Sequence, residues 1–185
     1  MASDTTVRTR PVPPLAPQGA LSESELPLDN PRARAALSLI WHEAALLDGR
    51  RYEEWDALWA EGGEYVIPID RTATDFAATL NLVYDDDRMR RMRIERLTGG
   101  FSISADAAAR TVRTVSRFTL AAQEDNAIEI CSAQVLVGYK RGETLVLGAD
   151  LRHRIVDTAD GPRIARKIVH LINSDDAVTA SGFLL

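Results

Sequence analysis

Residues 111–173 read TVRTVSRFTLAAQEDNAIEICSAQVLVGYKRGETLVLGADLRHRIVDTADGPRIARKIVHLIN. Apolar and β-branched residues alternate with polar ones along most of this stretch. Only Glu124-Asp125-Asn126, Arg141-Gly142 and Asp160-Gly161-Pro162 interrupt it. The pattern predicts four long strands at 111–122, 127–140, 143–157 and 163–173. Turns this short cannot hold a crossover, so consecutive strands are antiparallel hairpins. Strands of such length must twist and curl rather than lie flat.

Upstream of this block the period changes twice. Tyr65, Ile67 and Ile69 alternate through 64–70, a strand in which Pro68 marks an edge or a bulge. Leu80, Leu82 and Tyr84 alternate through 79–84. Asp85-Asp86-Asp87 suits the positive end of a helix dipole, and the helix it opens runs to Leu97 and closes at Gly99-Gly100. Further upstream, Asn30-Pro31 is an N-cap followed by the residue favoured at the first helical position. Leu37, Ile40, Trp41, Ala44 and Leu47 then form one apolar stripe that ends at Asp48-Gly49. A second helix over 50–60 shows Tyr52, Trp55 and Trp59 on one face, with Gly62-Gly63 as its stop. Residues 1–29, with Pro11, Pro13, Pro14, Pro17 and Pro27, read as a flexible tail. Residues 30–185 read as one domain.

The order is helix, helix, strand, strand, helix and four antiparallel strands. It predicts an α+β fold: a cone-like, curved antiparallel sheet whose concave face three helices cover. Nuclear transport factor 2, scytalone dehydratase and ketosteroid isomerase share such a cone, and the fold alone assigns none of their functions.

Composition narrows the classes. A net charge of −5 disfavours nucleic acid and anionic membrane as partners. No apolar run approaches the roughly 18–20 residues that span a bilayer, and no apolar core of a signal peptide follows the N-terminal basic residues. Cys131 is the only cysteine, which rules out an intrachain disulfide and a Cys-rich zinc or iron–sulfur site. A cytoplasmic setting is expected.

Three segments carry a resemblance. The first is Glu43-Ala-Ala-Leu-Leu-Asp48-Gly-Arg-Arg-Tyr52-Glu-Glu-Trp55, followed by Glu64-Tyr-Val-Ile-Pro68. The second is Tyr84-Asp-Asp-Asp87-Arg88 with Arg93-Ile-Glu-Arg96-Leu97. The third is Arg163-Ile-Ala-Arg166-Lys-Ile-Val-His-Leu171. In order and spacing they resemble the β subunits of bacterial aromatic-ring-hydroxylating dioxygenases. The chain departs from that pattern at Ala108-Ala109-Arg110, where the family often has Pro-Ser-Arg. It departs again at Ser116-Arg117, in place of Ser-Asn, and at Asn173 after Ile172, where Leu-Asp is usual. These departures bear on subfamily and partner more than on fold. The resemblance implies a structural subunit that forms a trimer and joins a catalytic α subunit, usually as an α3β3 hexamer. The Rieske [2Fe–2S] cluster and the mononuclear Fe(II) would then lie in the α subunit, with no cofactor or metal in this chain. Counting agrees, since a Rieske centre needs two Cys and two His. His42, His153 and His170 sit on different elements with no paired spacing for a two-His-one-carboxylate iron site.

Individual residues keep a rival reading open: a stand-alone lyase or isomerase of the same fold, or a small protein that binds a hydrophobic ligand. Its acid–base groups would be Asp48, Tyr52, Tyr65 and His153. Asp48 lies on the apolar stripe of the first helix, and as a structural residue it would cap the start of the next helix, 49–52. His153 alternates with Leu145, Leu147, Ala149, Leu151 and Ile155, and reads as a satisfied core histidine. Tyr52 and Tyr65 are large amphipathic rings of the kind that cores accept. His42 projects away from the stripe. At about 100° per residue, Arg88, Arg90 and Arg91 point away from the apolar arc of the third helix. Arg93 and Arg96 fall inside it and are expected to form structural or interface ion pairs.

Overall fold

The computed structural model describes residues 24–99, 109–174 and 183–185. Asn30 caps helix α1 (Pro31–Asp48), its side chain accepting from the Arg32 N–H at 2.9 Å. Arg32 ties that end of α1 to the turn at 124–126 and to the end of a later strand, bonding the carbonyls of Glu124 and Asp125 and the Asp157 side chain. Helix α2 (Tyr52–Asp56) follows, then strands β2 (Trp59–Pro68) and β3 (Asn81–Asp85) and helix α3 (Asp87–Thr98). The long strands are β4 (Arg110–Gln123), β5 (Ala127–Lys140), β6 (Glu143–Thr158) and β7 (Gly161–Leu171). A two-residue strand β1 (Ser24–Glu25) pairs with β4, so the sheet runs β1-β4-β5-β6-β7-β2-β3 and does not close. α1 lies across its inner face, against β4, β5 and β7.

Several expectations need correction. The sheet is mixed: β2 pairs with β7 in parallel, with Tyr65 opposite Lys167. The hairpin argument constrains only consecutive strands, and β2 and β7 are far apart in sequence. The span expected as tail contains β1, and Leu26 is buried there. The second helix ends at Asp56, and Trp59 begins β2. Gly62-Gly63 is a bulge inside that strand, where the register with β7 shifts between Trp59 and Glu64. A Cβ on Gly63 would lie 2.9 Å from the Trp59 ring and 3.0 Å from the carbonyls of Ala60 and Ile164. The glycine therefore serves close approach rather than helix termination. Pro68 sits at a second bulge, where the β2–β3 register shifts. On α1, Trp41 is exposed and meets Phe118 edge-on, while Glu43 and Leu46 are buried in the stripe.

Candidate functional site

The register places four residues in one row across the inner face: Tyr65 on β2, Lys167 on β7, His153 on β6 and Ile130 on β5. Side chains one residue either way point outward, so these groups are fixed in the interior by strand alternation alone. Glu43 enters from α1 above them. Its Oε1 accepts from Lys167 Nζ at 2.9 Å and from Trp55 Nε1 at 3.0 Å, and its Oε2 lies 2.9 Å from His153 Nε2. All of these side chains are buried. Trp55, Trp59 and Tyr65 pack edge-to-face around them, with centroids 5.4–6.1 Å apart.

The last described residues complete the site. Phe183, Leu184 and Leu185 are buried. Tyr65 donates to the Leu185 carbonyl at 2.9 Å and accepts from the Leu185 N–H at 3.1 Å, and Lys167 donates to the same carbonyl at 3.0 Å. Arg113 on β4 donates to the Leu184 carbonyl at 3.1 Å and to Asp48 at 2.9 Å. Phe183 lies over Gly138, whose Cβ, if present, would stand 3.6 Å from the ring.

Burial alone would push the Glu43 carboxyl up. The Lys167 charge and the contacts from His153 and Trp55 outweigh it and hold the carboxyl well below the usual carboxylate range. Burial lowers His153, against the pull of Glu43, and lowers Lys167 against the same carboxylate. Burial raises the Tyr65 hydroxyl. The consistent state is ionised Glu43, cationic Lys167 and neutral His153. In that state Nε2–H donates to Glu43 and Nδ1 is left as an acceptor.

Of the expected acid–base set, Tyr65 and His153 thus share one row, with Lys167 between them. Asp48 does not cap the next helix as expected. It accepts from Thr111 Oγ1, from the Arg113 N–H and from Arg113 Nε at 2.8–2.9 Å, and so joins α1 to β4. Tyr52 is buried at the start of α2, and its hydroxyl has no hydrogen-bond partner among the described residues. His153 is satisfied at Nε2 only, because Nδ1 likewise has none. His42 is exposed.

The arginines of α3 are rotated from their expected phase. Arg90, expected on the solvent side, is buried. It bonds the Gly63 carbonyl at 2.5 Å, pairs with Asp87 at 2.5 Å and Asp56 at 3.2 Å, and stacks over Trp59. Arg93 pairs with buried Asp85 at 2.5 Å. Arg96 is exposed and donates to the Met92 carbonyl, and among the described residues it pairs with no carboxylate.

Glu43, Lys167 and Arg113 carry the interior network and were not singled out from the sequence. Two of them left a signal. Glu43 falls three residues after Ile40 and four before Leu47, inside the stripe. Lys167 alternates with Ala165, Val169 and Leu171 on one strand face.

Among the described residues, no three His, Cys, Asp or Glu side chains converge as a metal would require. No described helix is long and apolar enough to cross a membrane. The fold and site define an open cone of the nuclear transport factor 2 type, whose polar interior is occupied by the chain's own residues.

Comparison with known proteins sharpens that class. The chain belongs to the ring-hydroxylating β-subunit family, whose model, described as "Ring hydroxylating beta subunit", matches residues 42–175. The benzene 1,2-dioxygenase subunit β of Pseudomonas putida is 33% identical over 103 residues, covering 51% of this chain and 55% of the relative. The chain thus spans about half the length of that curated relative. Among solved structures, the benzoate 1,2-dioxygenase β subunit of Burkholderia mallei superposes with a TM-score of 0.68 at 16% identity. The match covers 80% of this chain and 95% of that one. A scytalone dehydratase-like protein of Novosphingobium aromaticivorans superposes with a TM-score of 0.61 at 14% identity, over 81% and 91% of the two chains. At such identities these likenesses establish the fold.

Proposed function

We propose that this chain is the structural β subunit of a cytoplasmic aromatic-ring-hydroxylating dioxygenase. It forms a trimeric core and supports a catalytic α subunit in an α3β3 assembly. The Rieske cluster and the mononuclear iron belong to the α subunit, and this chain does not itself oxidise the substrate. The observation that carries the reading is the family match over residues 42–175.

The interior is consistent with a supporting role, since its Glu43 carboxylate is committed to Lys167, His153 and Trp55. The outer face offers a surface for assembly. Val112, Val137 and Val146 stand directly opposite one another across β4, β5 and β6, and all three are exposed. Val135 and Ile172 extend this apolar patch. Contiguous apolar surface of this kind marks a site of protein contact.

Co-expression with the adjacent α subunit, followed by sedimentation, tests the proposal. A mixed hexamer is expected, and Val137→Lys should lower its yield while leaving the isolated chain folded. A chain that remains monomeric beside its α subunit would refute the assignment. So would iron-dependent oxygen consumption by this chain alone.

A further inference from the structure

The apolar patch on the outer face of the sheet has cations at both ends. Its two rows are Val112, Val137 and Val146, then Val135 with Ile172. Ile172 lies over Gly148, where a Cβ would stand 3.1 Å from its side chain. Val112, Val146 and Ile172 are 61–68% exposed. One row before them, exposed Arg110 stands opposite Tyr139, its guanidinium 5.2 Å from the ring centroid. One row after them stands Asp150, opposite His170. At the ordinary rise of a strand these end rows are about 20 Å apart.

A bulge builds the far end. Arg117 sits where the β4–β5 register shifts, with a left-handed backbone at φ 55°. Regular alternation after Ser116 would send its side chain to the inner face. The kink re-aims it, and the 67% exposed Arg117 side chain pairs with Asp150 outside. Arg71 reaches the same carboxylate at 2.8 Å, so two guanidiniums share one acid. Burial and Arg71 lower His170 to about 4, and it adds no charge near neutrality. The exposed turn beyond Tyr139 supplies Lys140, Arg141 and Glu143. Around the patch, the described residues thus carry five cations against Asp150 and Glu143, on a chain of net charge −5. Further along the same face the charges match, with Arg152, Arg154 and Arg166 on Glu129, Glu124 and Glu64.

Such a face does not fit its own copy about a two-fold axis, which would set guanidinium against guanidinium. Its complement is an apolar surface flanked by carboxylates. Resting on the β-subunit assignment, we infer that this face docks the α subunit, on an apolar area of that subunit flanked by Asp or Glu side chains. Arg110 and Arg117 set the register at the two ends, and the valines between them form the dry centre. An apolar centre bordered by Arg and Tyr is the ordinary make-up of a protein interface.

Charge reversal is the test. Arg110→Glu with Arg117→Glu is made in the full chain and titrated against the α subunit encoded beside it. Association is followed by sedimentation at about 0.05 and 0.5 M salt. At low salt the double variant should bind at least about tenfold more weakly than the wild type. High salt should bring the wild type toward the variant and leave the variant nearly unchanged. The variant's circular dichroism spectrum and its own oligomeric state should match those of the wild type. Arg110→Gln with Arg117→Gln should fall between the two and replaces the reversal if that variant does not fold. Equal affinities, or a contact indifferent to salt, overturn the inference and leave the β-subunit reading standing. Loss of self-association with α binding retained also overturns it, by assigning the face to a second copy. The same holds if the wild type alone binds vesicles of equal parts phosphatidylcholine and phosphatidylglycerol and the variant does not. A wild-type chain that ignores the α subunit refutes the β-subunit reading itself, and this inference falls with it.

Discussion

Two rows of residues run across the same four strands, one residue apart, and their chemistry is opposite. The inner row is Tyr65, Lys167, His153 and Ile130. The outer row is Glu64, Arg166, Arg154 and Glu129, in direct register. On the outside, Arg166 pairs with Glu64, and Arg154 pairs with Glu124 and reaches Glu129. Arg152 adds a further pair to Glu129. Several outer partners are part-solvated: the Glu124 side chain is 50% exposed and that of Glu64 25%. The inner row has one cation, Lys167, one neutral imidazole, and a single carboxylate supplied from a helix. Alternation separates an outer ladder that meets water at Glu124 and Glu64, although Glu129, Arg152 and Arg166 within it are themselves buried, from an interior in which no partner is solvated. Equal-looking ion pairs on one strand should therefore contribute very different amounts of stability.

The sharpest break of this comparison is Glu43→Ala. It strands Lys167 at 1% side-chain exposure and should cost about 3–5 kcal/mol in urea unfolding. The double replacement Glu43→Met with Lys167→Met should recover most of that loss, because a buried pair and an apolar pair of similar volume are often near-equivalent. A single-variant cost below about 1 kcal/mol would place the inner row in the same class as the outer one.

Helix α3 repeats the contrast on a smaller scale. Arg90→Ala removes a buried guanidinium and leaves Asp87, Asp56 and the Gly63 carbonyl without it, and should cost about 2–4 kcal/mol. Arg96→Ala on the exposed side should stay within about ±0.5 kcal/mol. Equal effects at the two positions would mean that burial does not govern the outcome.

The histidines test the two faces by pH. His153 faces in and His170 faces out, under Arg71. Burial, aided for His170 by Arg71, lowers both, His170 to about 4. A depressed folded-state value means that stability is fully present above the unfolded value near 6.5. It is lost as pH falls through the folded one. For His170 the loss falls between about pH 6.5 and 4 and amounts to at most about 3 kcal/mol. Glu43 stays ionised throughout that window and adds nothing to the slope. His170→Gln should flatten Tm against pH there, and an unchanged profile would show that the titration lies elsewhere.

The smallest effect is expected at the exposed end of the ladder. Glu124→Ala should cost less than about 1 kcal/mol, and 1 M salt should erase the difference. A larger, salt-insensitive cost would mean that the outer face is more shielded than its exposure indicates.

Much of this was legible in the sequence. Asn30-Pro31, the three polar turns and the alternation of 111–173 carry local information, and local physics decides those features. His153 was placed inside by period alone. The misreadings share a cause, which is that distant partners decided them. Trp59 satisfies a helical spacing with Trp55, yet its β2 backbone is claimed by β7. Asp48 had a plausible local cap to make but was taken by Arg113, 65 residues away. α3 has only one buried apolar residue, Ile94, so its phase is set by Trp59 and Asp56 rather than by its own stripe. The seating of Phe183-Leu184-Leu185 has no periodic signature at all.

The parallel pairing of β2 with β7 also orders events in time. Glu64 and Arg166 meet across that pair although 102 residues separate them. During synthesis from the N-terminus, the β2–β3 hairpin has no β7 edge to join until about a hundred further residues have been made. Contacts between such distant segments slow folding, because loop closure must precede any gain from them. Until β7 arrives, β2 presents an unpaired edge and Trp59, Tyr65 and Val66 lack their cover. The nascent chain before β7 is the state most exposed to misassociation, and the arrival of β7 ends that exposure.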